Sequence, residues 1–199
     1  HCAKPRSLPA ISMKFTKRHI ALVIGILTII LSFLWFGRDT DTYNIIILVG
    51  LTIATSSFLI ILFKEKNLKL KLFWTFVVII SVGLQWLMEP LLVKVSYRIF
   101  IKQHEINLAQ VTELIKSKKS DLYLSPSSEL WPRNGFTQPE INQLRHYLKE
   151  TKINFIQKDS NKIFYRTWGT LDVAHGIYYF YSGDKPKKRY KHIFDNWYY

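Results

Sequence analysis

One cysteine, Cys2, stands in 199 residues, which excludes a disulfide framework and any thiolate cluster that could hold a metal. Acidic side chains are scarce as well, 14 Asp and Glu against 28 Lys and Arg, for a formal net charge of +14. Glycine and proline, 8 and 7 residues, are too few for a collagen-like or low-complexity chain. The sequence carries no glycine-rich phosphate loop, no dinucleotide fingerprint and no Gly-x-Ser-x-Gly elbow. It has no internal repeat of about 20 to 50 residues. No cofactor motif is present, so no cofactor is expected, and the activity cannot be read from a motif.

Hydrophobic residues are plentiful, 48% of the chain, and unevenly spread. Residues 1–99 hold 12 basic and 4 acidic side chains, and residues 100–199 hold 16 and 10. Three uncharged runs fall in the first half: Ile20 to Phe36, Tyr43 to Phe63 and Leu72 to Met88. At about 1.5 Å per residue, the shortest of them reaches about 26 Å, close to the apolar thickness of a bilayer. Three membrane-spanning helices over residues 20–93 are therefore expected, after a basic N-terminal segment, 1–19. Met13 reads as a native start, which would leave Cys2 in leader sequence. A cleaved signal peptide is the rival for the first run, but Trp35-Phe-Gly-Arg38 is no small-x-small cleavage site.

Lys and Arg in short flanking segments set orientation. Five lie in residues 1–19 and four in Lys64 to Lys71; Arg38 stands alone in the first connection, and Lys94, Arg98 and Lys102 follow the third run. Nine against four favours a cytoplasmic N-terminus, and three spans then carry residues 94–199 out of the cytoplasm, into the periplasm in a bacterial inner membrane. Small residues at helical spacing, Ala21, Gly25, Thr28 and Ser32, then Gly50, Ala54 and Ser57, mark the faces on which spans approach closely. Gln85 and Glu89 share one face of the third run. Glu89 reads as an interfacial carboxylate beside Pro90, which disturbs the helix.

Residues 94–199 read as an α+β domain, two helices on an antiparallel sheet of four or five strands. Ile101, Leu108, Val111 and Ile115 form one helical stripe. Thr137-Gln-Pro-Glu140 is a capping box followed by Ile141, Leu144 and Leu148, so a second helix runs to about Thr151. Strands are expected at Leu122 to Leu124, Ile153 to Gln157, Ile163 to Trp168, Ile177 to Tyr181 and Ile193 to Tyr199. The 13 aromatics of residues 151–199 supply a core and leave some rings over. Strand alternation would expose part of the set Tyr178, Phe180, Trp197 and Tyr199, or of the set Tyr179, Tyr181 and Tyr198.

Three groups of residues carry candidate chemistry. Asp172 and His175 are spaced as a carboxylate that orients an imidazole, though no nucleophile accompanies them, and the imidazoles lack metal-ligand spacing. The run Lys185 to His192, with Lys187, Lys188, Arg189 and Tyr190, suits phosphates; an extracytoplasmic domain excludes nucleic acid and leaves membrane lipid headgroups, polysaccharide or simply water, as for a solvated hairpin turn. Tyr181 and Tyr198 offer contact surface. These features favour a multi-pass membrane protein whose domain is a binding or accessory module for another envelope component, a protein partner among them. The alternatives are a membrane-surface enzyme using Asp172 and His175, and a subunit of a transport or channel complex.

Overall fold

The computed structural model describes residues 16–119, 121–125, 135–169, 174–181, 186 and 189–199. Five helices and one antiparallel sheet of six strands make up the described fold. Three apolar helices come first: α1 (Lys17–Ser32), α2 (Thr40–Lys64) and α3 (Leu68–Gln103). Two of them, α2 and α3, are long and apolar enough to cross a membrane. The first apolar run makes a shorter helix than its residues 20–36 suggest. Ser32 Oγ donates to the Ile29 carbonyl at 2.7 Å, and the chain then tightens into i→i+3 bonds, Leu34 N–H to Leu31 and Trp35 N–H to Ser32. Gly37 at φ +73° completes the turn, a conformation that costs a residue with a Cβ.

Of the small residues, Gly25, Gly50 and Ala54 lie between α1 and α2. A Cβ on Gly25 would stand 2.6 Å from the Ala54 backbone nitrogen, so the helices touch backbone to backbone there. At the far end from the Gly37 turn, Arg18 Nη2 meets Glu65 Oε2 at 2.7 Å, and the His19 ring stacks on Trp74 with centroids 4.7 Å apart.

Pro90 does not stop α3, a helix of 36 residues that runs on past it to Gln103. Its missing N–H deprives the Trp86 carbonyl of an intrahelical donor, while the Pro90 carbonyl accepts a 3.0 Å bond from the Tyr199 hydroxyl. The stripe expected to start at Ile101 is divided: residues 101–103 finish α3, His104 turns the chain at φ −113° and ψ 18°, and α4 (Glu105–Lys116) begins anew.

The sheet runs β1 (Leu122–Leu124), β2 (Phe155–Lys158), β3 (Lys162–Gly169), β4 (Ala174–Phe180), β5 (His192–Phe194) and β6 (Trp197–Tyr198), in spatial order β1-β2-β3-β4-β6-β5. Six strands replace the expected four or five because the last run folds on itself: Asp195 at φ +44° turns β5 back into β6. Helix α5 (Gln138–Thr151) opens as the capping box requires, with Glu140 Oε2 accepting from the Thr137 N–H at 2.7 Å. Helices α4 and α5 cover one sheet face, where Leu108, Val111, Ile115, Leu144 and Leu148 meet Ile156, Ile163, Tyr165 and Ile177. The Tyr165 hydroxyl, fully buried, is satisfied by Thr112 Oγ1 at 2.7 Å.

This core is continuous with the helical half through Phe33, Val93 and Tyr97. Ser96 Oγ donates to the Phe36 carbonyl at 2.8 Å, and Lys152 Nζ pairs with Asp39 Oδ2 at 2.8 Å. The domain therefore rests on the α1–α2 turn and on the second half of α3.

Two substitutions test these joints. Gly37→Ala must adopt a positive φ and place a Cβ 2.5 Å from the Tyr97 ring; a loss of about 1 to 3 kcal/mol is expected in thermal unfolding of the full chain in detergent. Thr137→Ala should cost about 0.5 to 2 kcal/mol in the same measurement.

Candidate functional site

The face of the sheet turned away from α4 and α5 is aromatic. Register decides which rings reach it: Tyr178 pairs with Tyr198 and Tyr179 with Trp197, so the two expected sets are mixed. Tyr178, Phe180 and Tyr198 join Phe164 outside, whereas Tyr179 and Trp197 belong to the core side. Phe164 and Tyr178 stack at 4.5 Å and 20°, and Tyr190 meets Tyr178 and Phe180 edge-on at 4.8 and 5.2 Å.

Two cations converge on this layer. Lys162 Nζ and Arg189 Nη2 both donate to the Tyr190 hydroxyl, at 3.0 and 2.9 Å. The Lys162 ammonium also lies over the Tyr178 and Tyr190 rings, and the Arg189 guanidinium over Tyr190 at 4.9 Å. Asp159 completes the group, with Oδ2 at 3.5 Å from Lys162 and Oδ1 accepting from Gln157 Nε2 at 3.1 Å. Partial burial alone would push the Tyr190 phenol up, but the two cationic donors outweigh it and hold the pKa below its ordinary value.

These residues form one side of a cleft of about 730 Å³. The other side is α3 and the last residue: Trp86, Glu89, Pro90 and Tyr97 with Tyr199, whose ring lies 5.8 Å from the Lys191 ammonium. The Trp86 side chain is 80% exposed where the apolar stretch of α3 gives way to Glu89. His175 and Phe36 close one end, ring edge to ring face at 5.3 Å. Burial lowers the His175 pKa, favouring the neutral imidazole. Such a site combines donors for an anion, aromatic walls and a mouth beside an apolar helix.

No family model, no curated protein and no solved structure matches this chain. Its site is read from its own geometry alone.

The candidates from sequence fare unequally. His175 and Arg189 line the cleft. Asp172, Lys187 and Lys188 lie outside the described residues. Tyr181 turns inward, packing on the core and donating its hydroxyl to the Asp159 carbonyl. Tyr198 is on the outer face against Phe180, at 5.2 Å, without lining the cleft. Among the described residues no three His, Cys, Asp or Glu side chains are grouped to hold a metal. Lys162, Tyr178, Asp159 and Trp86 were missed as a group. Alternation of Lys162 and Phe164 on one strand face, read together with Tyr178 and Phe180 on the next, was the available signal.

The convergence on Tyr190 has a spectroscopic consequence. Replacing both donors, Lys162→Gln with Arg189→Gln, leaves burial as the governing influence, so Tyr190 should ionise at higher pH than in the unaltered chain. The phenolate absorbance that disappears with Tyr190→Phe reports this residue, and an unmoved titration would mean the cations do not reach the hydroxyl.

Proposed function

We propose that the chain is a three-span membrane protein with a cytoplasmic N-terminus and an extracytoplasmic C-terminal domain, acting as a binding module for another component of the envelope through the cleft beside α3. The observation that carries this reading is the cleft itself. Aromatic and cationic side chains in excess of the core's needs face a recess of about 730 Å³ whose second wall is a membrane-length helix. Contact surfaces of this composition are where binding energy concentrates.

Three features support the membrane arrangement. The exposed apolar residues of α1, Ile20, Ile24, Leu27 and Leu31, lie on one stripe suited to lipid. The Arg18–Glu65 pair joins the start of α1 to the α2–α3 connection, and the Lys152–Asp39 pair joins the domain to the α1–α2 turn. Those two junctions are the opposite ends of an antiparallel three-helix array. Nine basic flanking residues against four then favour the domain outside. A reporter that fluoresces only in the cytoplasm, fused after Tyr199, should be dark, and a bright fusion reverses the orientation.

Capture through the cleft is tested with a photoreactive phenylalanine analogue at Tyr178 in the full chain, illuminated in native membranes. A discrete adduct is expected there and not with the analogue at Ile106, an exposed position on α4. Equal adducts at both positions, or none at Tyr178, overturn the binding reading. His175→Ala should leave the Tyr178 adduct in place, since the imidazole packs on Phe36 at the end of the cleft. Loss of function with retained folding in that variant would favour the enzyme.

A further inference from the structure

We propose that the component bound in the cleft is a membrane phospholipid, its phosphate held by Lys162, Arg189 and Lys191 and its acyl chains leaving past Trp86 along α3; this rests on the cleft being a binding site and names the ligand class. Among the described residues, the strand side of the recess presents three cations, Lys162, Arg189 and Lys191, and one carboxylate, Asp159. That carboxylate accepts from Gln157 at Oδ1 and lies beside Lys162 at Oδ2, so its charge steadies Lys162. Arg189 and Lys191 have no carboxylate partner among the described residues; each lies on an aromatic face instead, Arg189 on Tyr190 and Lys191 on Tyr199.

The polar atom on which Lys162 and Arg189 meet is a neutral phenol oxygen, at 3.0 and 2.9 Å. A phenol has two lone pairs, and both are taken by cationic donors. An entering phosphate oxygen offers the same donors a full negative charge, so direct Coulomb attraction is added to the charge-assisted hydrogen bonds they already make. The hydroxyl thus marks the place of the anion, and Tyr190 is free to turn its own O–H toward it.

Position separates a lipid phosphate from a free one. The recess is bounded by Trp86, Glu89 and Pro90, the residues at which the uncharged run from Leu72 to Met88 ends, which is the depth of phosphates in a bilayer crossed by α3. An exposed tryptophan at that boundary gives the glycerol and upper acyl chain an apolar path. Glu89 on the α3 wall is negative and directs the phosphate to the strand side.

The test uses the full chain purified in maltoside micelles, with lipid adducts counted by native mass spectrometry. The probes are phosphatidylglycerol, a glucosyl diacylglycerol of the same acyl chains, and inorganic phosphate as competitor. Phosphatidylglycerol should be retained over the glycolipid. Arg189→Gln and Lys191→Gln, both at exposed positions, should each weaken its retention about fivefold. Lys102→Gln, an exposed lysine paired with Glu105 away from the cleft, should change nothing. Equal retention of the two lipids, an equal loss in Lys102→Gln, or displacement by inorganic phosphate at the lipid's own concentration overturns the proposal. A protein adduct at Tyr178 without phospholipid retention overturns it while leaving the binding module standing; no adduct and no retention removes both.

Discussion

Tyr97, 1% exposed, is where the helical half and the sheet are joined, and the geometry of everything beyond the membrane-length helices depends on it. It lies about two turns past Pro90 on a helix that does not break there. Its ring fills the concavity of the Gly37 turn, so closely that a Cβ at Gly37 would be 2.5 Å away, and stands 5.6 Å from the Tyr199 ring. Ser96 beside it holds the Phe36 carbonyl, and Tyr199 reaches back to the Pro90 carbonyl. One buried ring thus ties together the α1–α2 turn, α3 and the end of the chain. A helix interrupted at Pro90 would let the sheet swing; a continuous one carries it as a fixed attachment, and only a fixed attachment makes the space between α3 and the outer sheet face a defined cleft.

The charge arrangement inside that cleft follows a simple physical preference. Cations near a partly buried aromatic layer need acceptors, and among the described residues Lys162 finds Asp159 together with the Tyr190 hydroxyl, while Arg189 finds the hydroxyl and the ring beneath it. Pairs this exposed contribute little to folding. They hold positive charge at one spot beside an apolar helix.

Much of the architecture was legible in one sequence because it is written locally. The capping box at Thr137 and the stripe through Leu144 and Leu148 locate α5; the β-branched and aromatic runs Ile153 to Gln157 and Ile163 to Trp168 locate two strands, observed at 155–158 and 162–169; the long uncharged runs locate α2 and α3. What escaped depends on contacts distant in the chain. Pro90 is tolerated within α3, with the Tyr199 hydroxyl on its carbonyl, a bond over 109 positions that no local pattern announces. The end of α1 at Ser32 depends on a turn shaped around Tyr97. Likewise the site: His175 and Arg189 stood out by type, but their usefulness comes from Lys162, Tyr178 and Trp86, which only strand register and the docking of α3 bring beside them. Tyr181 lies just past the end of β4, where its hydroxyl turns back to the Asp159 carbonyl, a placement that strand alternation alone does not give.

If α3 and the sheet are joined rigidly, the distance across the cleft is fixed. Spin labels on cysteines introduced at Met88 and Arg189, with Cys2 replaced by serine, report it in bilayer nanodiscs by pulsed dipolar spectroscopy. A single narrow distance distribution is expected, unchanged between short and long acyl chains. A broad distribution, or two separated populations, would mean that the domain moves independently of α3 and that the cleft is not a fixed site.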